Sequence, residues 1–215
     1  MRMRRKPRLD SRIMQCEHLL AGEPEVLRGR WLEEFSFNGS QFKELHVELG
    51  CGKGSFTVGT ARSEPCAFLV GVERITNVLV AALERAEQER VQNIRFLNKL
   101  ADDLISFFAE DEVSRIYINF CDPWPANRHS KRRLTGQRFL EIYKTVLQPG
   151  GEIHFKTDNL PLFDFSLIEL EKYGFSLSEV SYNLHEHGPV GIMSDYEKKF
   201  YGMGIPINRC VAKVN

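Results

Sequence analysis

From residue 44 onward, short apolar, β-branched or aromatic runs alternate with longer amphipathic stretches. That alternation is the pattern of βαβ units on a parallel sheet. It predicts strands near 45–49, 67–72, 93–97, 115–120 and 151–157, with helices near 53–63, 75–90, 101–109 and 135–147 between them. In the second helix Val78, Ala81, Ala82, Leu83 and Ala86 recur at helical spacing among charged neighbours. Pro149-Gly150-Gly151 reads as a stop to the fourth helix and a turn into the fifth strand. A helix near 160–173, a run from Phe175 to Tyr182, a helical Ser194–Phe200 and a last run around Ile207–Val214 follow. Before all of these, residues 13–35 mix Ile13, Leu19, Leu20, Leu27, Trp31 and Phe35 with polar positions, as irregular or short helical wrapping would. With no internal repeat or low-complexity linker, the simplest division is a basic arm and wrapping segment over 1–40 and a single domain over 41–215.

Composition supports a globular chain of 215 residues, with 42% hydrophobic and 27% charged positions. No apolar run approaches the roughly 18 residues of a membrane span, and the basic N-terminus lacks the apolar core of a signal peptide. A cytoplasmic location is expected. Cys16, Cys51, Cys66, Cys121 and Cys210 contain no Cys-x-x-Cys pair, so neither a disulfide framework nor a zinc site is expected. His185-Glu186-His187 by itself is too sparse a set of metal ligands.

Net charge hides the most informative feature. Lys+Arg and Asp+Glu are both 29. Residues 1–12 hold Arg2, Arg4, Arg5, Lys6, Arg8 and Arg12 against Asp10 alone, and 128–138 hold Arg128, Lys131, Arg132, Arg133 and Arg138 with no acid. Removing those eleven bases and one acid leaves 18 bases against 28 acids. Two basic patches on an acidic body suit a polyanionic partner approached on one side.

The first strand leads through Glu48-Leu49 into Gly50-Cys51-Gly52-Lys53-Gly54, and a helix follows. Such glycines let the backbone turn sharply and approach a ligand closely. The second strand ends at Gly71-Val72-Glu73, where an acid can bond ribose hydroxyls. The glycine spacing is not the dinucleotide Gly-x-Gly-x-x-Gly. A carboxylate at Glu48 would repel a pyrophosphate but could pair with an α-ammonium, which favours S-adenosyl-L-methionine over NAD. The fourth strand ends in Cys121-Asp122-Pro123-Trp124-Pro125. Two prolines around an aromatic are expected to hold an extended backbone that presents the Asp122 carboxylate beside the Trp124 ring, a pairing suited to a flat heterocycle.

Cys121 to Pro125, then Arg128-His129 and Lys131 to Leu134, Lys156 to Asn159, and Ser194 to Phe200 occur in an order that resembles the bacterial tRNA (guanine-N7-)-methyltransferases. The resemblance runs from about residue 44 to the C-terminus. It implies an α/β, Rossmann-like class I methyltransferase fold, with a mostly parallel seven-stranded sheet and helices on both faces. It also implies methyl transfer from S-adenosyl-L-methionine to N7 of guanine 46 in the variable loop of tRNA. By that carry-over Glu48, Gly50, Gly52, Glu73, Leu100 and Asp122 contact the cofactor, and Asp122 is the catalytic residue. Trp124, Arg128, Asp158, Ser194, Asp195, Tyr196 and Glu197 fall on the substrate side. Three positions depart from the family pattern: Ala126 stands where Lys is common, Leu100-Ala101 replaces an Asp-Ala pair near the adenine, and Ser194 replaces a Thr. The rival readings are a methyltransferase acting on another base, a protein nitrogen or a small molecule, and more remotely a dinucleotide-dependent oxidoreductase.

Overall fold

The computed structural model describes residues 7–36 and 42–215. Arg2, Arg4, Arg5 and Lys6 of the basic arm, and the expected boundary at 40/41, lie outside the described residues.

One sheet contains β1 (Glu44–Leu49), β2 (Ala67–Val72), β3 (Ile94–Leu97), β4 (Val113–Asn119), β5 (Leu147–Thr157), β6 (Phe175–Ser181) and β7 (Asn208–Val214). The spatial order is β3-β2-β1-β4-β5-β7-β6. β7 runs antiparallel to both β5 and β6, and the other pairs are parallel. Among the described residues the α-helices are α1 (Leu9–Gln15), α2 (Trp31–Glu34), α3 (Ser55–Ser63), α4 (Thr76–Gln88), α5 (Leu104–Phe107), α6 (Gln137–Val146), α7 (Leu160–Lys172) and α8 (Asp195–Gly202). The mostly parallel seven-stranded architecture is the one the resemblance implies. The chain winds outward from β1 to β3 and then returns to β4, so the β1/β4 junction is a topological switch point, where a crevice opens beyond the strand ends.

Strand alternation divides the residues between two unlike faces. Leu45, Val47, Phe68, Val70, Ile116, Ile118, Ile153 and Phe155 face a core completed by α2, α5, α6 and α7. On the other face Ala67, Leu69, Ile94 and Phe96 pack with α3 and α4. Under β1, β4 and β5 that second face turns polar: His46, Glu48, Arg115, Tyr117, Asn119, Glu152, His154 and Lys156 alternate with the apolar set. Register brings them together, with His46 opposite Arg115, Glu48 opposite Tyr117 and Asn119 opposite Lys156.

The N-terminal wrapping is part of this body. Cys16 and Leu19 join the β2–β3 side, and Ala21 N–H donates to Phe96 O at 3.0 Å. Trp31 is fully buried, stacks on Phe108 at 5.4 Å and donates its indole N–H to Phe107 O at 2.9 Å. Arg12, expected to serve a phosphate-binding arm, forms a two-pronged pair with Glu84 of α4 at 2.6 Å for each bond.

Three departures from the expected boundaries have a local cause. The predicted 101–109 helix is a 3₁₀ turn, Ala101–Asp103, followed by a single α turn, because the chain is extended at Phe108 where that ring stacks on Trp31. β5 starts at Leu147, before Pro149, and Gln148 to Gly151 form a bulge between the Val113–Leu147 and Arg115–Glu152 pairings. β4 ends one residue early because Phe120 takes φ +53° and leaves the extended region.

Candidate active site

Beyond the ends of β1 and β4 lies a cleft of about 700 Å³. On its β1 side the backbone itself forms the wall. Gly50 and Gly52 have φ of +74° and +60°, and a Cβ built on Gly50 would meet nothing within 4 Å. Side chains other than glycine strain at such angles, and here they would also occupy the space a ligand needs. Gly54, at φ +73°, serves packing instead: its Cβ would sit 2.8 Å from Ala82 Cβ on α4.

Glu73 lies across this loop and lines the cleft. Its Oε2 accepts from Gly52 N–H at 3.2 Å and its Oε1 from Ile75 N–H at 2.8 Å, so the carboxylate is fixed at the end of β2. Leu49, Val72, Val78 and the half-exposed Leu100 add apolar surface nearby. Leu100 therefore offers contact area where the resembling family offers a carboxylate. Asp102, two residues on in the chain, is engaged with Arg138 at 2.6 Å.

Glu48, expected to touch the cofactor, is placed below the cleft lining and is 3% exposed. Thr57 Oγ1 donates a short hydrogen bond to Glu48 Oε2, and Asn119 Nδ2 donates to Oε1 at 3.0 Å. Burial pushes the Glu48 carboxyl upward, and those two hydrogen bonds oppose the shift. The Nδ2 bond to Glu48 fixes the Asn119 amide, whose Oδ1 is buried without a partner at the floor of the cleft. Asn119 is thus a site residue that sequence reasoning overlooked. Its signal was a polar residue closing the apolar run Ile116-Tyr117-Ile118.

The opposite wall is the loop after β4. Asp122 is exposed and lines the cleft with half-buried Trp124. The backbone here is not extended as the prolines suggested: Trp124 has φ +42°. Arg133 holds the turn, donating to Pro123 O at 3.2 Å and to Trp124 O at 3.1 Å from Nη2. The Arg132 guanidinium lies 4.9 Å over the Trp124 ring, and His129 meets the ring edge-on at 5.7 Å. One face of the indole is therefore already covered by Arg132. Arg128 is exposed outside the cleft lining, while Lys131 and Arg132 are within it.

α8 forms the rim. Tyr196 is 62% exposed, lines the cleft and leads through Phe200 at 6.1 Å to Phe120 at 5.9 Å, a row of rings joining α8 to the β4 loop. Ser194 caps α8 through a reciprocal bond with Glu197, and Asp195 pairs with Arg85 at 3.3 Å. Glu197, expected on the substrate side, is fully buried. It accepts from Lys156 Nζ at 2.9 Å, from His185 Nε2 at 3.0 Å and from Ser194 N–H at 3.2 Å. Val190 N–H donates to His185 Nδ1 at 3.1 Å, which leaves Nε2 to carry the proton. Asp158 is exposed after β5 and is not part of the cleft lining.

Burial raises the Cys121 thiol to about 12 and Cys51 well above its usual range, which favours the neutral thiol at both. No group of three or more His, Cys, Asp or Glu among the described residues is placed to hold a metal ion. No helix among them is long and apolar enough to cross a membrane.

Comparison with known proteins follows the same lines. The family described as "Putative methyltransferase" matches residues 43–210. Among solved structures, precorrin-6y C5,15-methyltransferase from Geobacter metallireducens GS-15 superposes with a TM-score of 0.58 at 14% identity, covering 98% of this chain and 94% of that one. A SAM-dependent methyltransferase from Aquifex aeolicus gives 0.56 at 14% identity, covering 94% and 98%. The 16S rRNA methyltransferase KamB gives 0.58 at 13% identity, covering 82% and 90%. At these identities the likeness is one of fold. S-adenosyl-L-methionine is the expected cofactor, and the bare glycine backbone, fixed Glu73 and unpartnered Asn119 Oδ1 fit its backbone-facing, ribose and ammonium parts. By the family match over most of its length, the chain belongs to this methyltransferase family, of the tRNA guanine-N7 type.

Proposed function

We propose that the protein methylates N7 of guanine 46 in the variable loop of tRNA, with Asp122 as the catalytic residue. One observation carries the reading: a single cleft is walled by the glycine loop and Glu73 on one side and by Asp122 and Trp124 on the other, with Tyr196 at its rim. S-adenosyl-L-methionine supplies an electrophilic methyl group on a sulfonium. Gly50, Gly52 and Glu73 would hold the cofactor, and Asn119 Oδ1 would accept from its ammonium, with the Asn119 amide oriented by Glu48.

Guanine N7 has a free lone pair at neutral pH, so no residue needs to remove a proton before attack. The tasks left to the chain are alignment and electrostatics. Alignment of nucleophile and methyl group contributes a large part of the barrier reduction. Trp124 and Tyr196 supply flat apolar surface to hold the base. Asp122 accepts from the base N–H groups and places negative charge beside the ring as it becomes cationic. Arg128, Lys131 and Arg132 lie on the same side and suit the phosphates around a base drawn out of the tRNA core. Asp158, outside the lining, contacts RNA in this reading only at the periphery.

The test is methyl transfer to unmodified tRNA followed by chemical cleavage at 7-methylguanine. Cleavage at the variable-loop guanine that disappears when that base is changed supports the proposal. No transfer, or transfer to another position, overturns it and leaves a different methyl acceptor.

A further inference from the structure

On the other side of the first turn of α8 from the cleft lies a second concavity of about 380 Å³. α3 supplies Ser55, Gly59 and Arg62, α4 supplies Arg85 with Glu89 just past its end, and the 191–193 segment with Lys198 closes it. Its lining holds three cations against one carboxylate. Arg62 bonds Glu89 at 2.8 Å and Arg85 bonds Asp195 at 3.3 Å, both open to solvent and therefore weak. Each guanidinium has five N–H donors, so both keep donors for a further partner.

Ser55 adds an independent observation. The residue is 9% exposed, and its hydroxyl is buried without a hydrogen-bond partner. Such a group costs stability unless something completes its bonding. Gly59, one turn along the same helix face, keeps the concavity in shape: a Cβ there would lie 2.8 Å from Ile192 Cγ2 and force the 191–193 segment outward.

We propose that this concavity binds a phosphodiester of the RNA substrate, with Arg62, Arg85 and Lys198 as cationic contacts and Ser55 Oγ donating to a phosphate oxygen. This rests on the reading that the substrate is RNA. Arginine forks match paired phosphate oxygens, and the solvent-open shape suits a group carried on a chain. Tyr196 lines the cleft while Lys198, two residues later, lines the concavity. One polyanion can therefore lay a base against Tyr196 and a neighbouring phosphate here. Glu89 opposes an anion, and its pairing with Arg62 limits that repulsion.

The experiment compares the wild-type protein with Arg62→Ala/Lys198→Ala, whose two side chains are exposed, and with Ser55→Ala, which removes one unpartnered hydroxyl. The tRNA dissociation constant is measured by filter binding across 50 to 200 mM salt, with S-adenosyl-L-methionine affinity by calorimetry as a control. The double variant should bind tRNA roughly tenfold more weakly at low salt, with a log–log salt slope reduced by about 1 to 2. Ser55→Ala should weaken tRNA binding by roughly threefold while its thermal midpoint holds or rises. A double variant with wild-type affinity and slope overturns the proposal. Inorganic phosphate is the second probe: if the double variant abolishes stabilisation by phosphate but leaves tRNA affinity unaltered, the pocket serves a free anion and the RNA assignment fails. Wild-type protein that binds tRNA through these residues but transfers no methyl group supports the pocket and removes the methylation reading. Methylation by wild type with normal tRNA binding by the double variant does the reverse.

Discussion

Glu197 offers the sharpest decision between a substrate contact and a scaffold. Its carboxylate is fully buried, its main cationic partner Lys156 is 8% exposed, and His185 beside it is 5% exposed. Glu197→Ala removes four hydrogen bonds and leaves the Lys156 ammonium in a nearly dry site between Ile192 O at 3.3 Å and the Phe56 ring at 5.5 Å. Removing one partner of a buried ion pair costs about 3–5 kcal/mol, and loss of the capping box at α8 adds to this. Against a total of about 5–15 kcal/mol, that is a large fraction. For a chain of this size it corresponds to a fall in Tm of roughly 6–20 °C. Urea unfolding followed by circular dichroism measures it, with Lys156→Met and Lys156→Met/Glu197→Ala closing a double-mutant cycle. The double variant should recover part of the loss, because no charge is left buried alone. A Glu197→Ala protein within 1 kcal/mol of wild type, yet unable to bind tRNA, would refute the scaffold role and restore the substrate contact.

Asp122→Asn should abolish turnover while S-adenosyl-L-methionine affinity stays close to wild type, and near-normal methylation by that variant contradicts the assignment. Gly50→Ala should weaken cofactor binding more than stability, since its Cβ would enter open space in the cleft; Gly54→Ala should do the opposite, losing about 2–4 kcal/mol through left-handed strain and the 2.8 Å approach to Ala82. Calorimetric titration alongside thermal melts separates those two outcomes. Burial brings His154 down to about 4, Arg115 pushes it the same way, and the Glu152 hydrogen bond opposes them. The unfolded chain therefore binds the proton below about 6.5 and the folded chain only near 4, so stability present above 6.5 is lost as pH falls through that window. His154→Gln should flatten the pH dependence of unfolding between 6.5 and 4, leaving a residual slope from His46, whose pKa burial also lowers; a slope identical to wild type would count against the burial argument.

Much of the site was legible because its chemistry is local. Gly50, Gly52, Glu73, Asp122 and Trp124 stand at strand ends, and strand ends can be read from a change of period and a following turn residue. What local reasoning missed were partners distant along the chain. Asn119 matters because the sheet register sets it next to Glu48, 71 residues away. Arg133 matters because it closes the Trp124 turn, and Arg12 is tied to α4 by Glu84, 72 residues away. The left-handed backbone at Phe120 and Trp124 was also hidden, since neither residue type announces positive φ.

Short apolar runs between longer amphipathic stretches were enough to place five strands and their parallel arrangement, and the turn residues after them the glycine loop and the Asp122 loop, because side-chain period and turn chemistry act over only a few residues. Only the tertiary structure decided that His46, Glu48, Tyr117, Asn119, His154 and Lys156 form one polar sheet face, that Glu48 lies outside the cleft lining and that Glu197 is buried while Tyr196 next to it is exposed. Burial and ion pairing depend on which strands and helices meet, and a neighbour tens of residues away decides whether a carboxylate faces a ligand or a lysine.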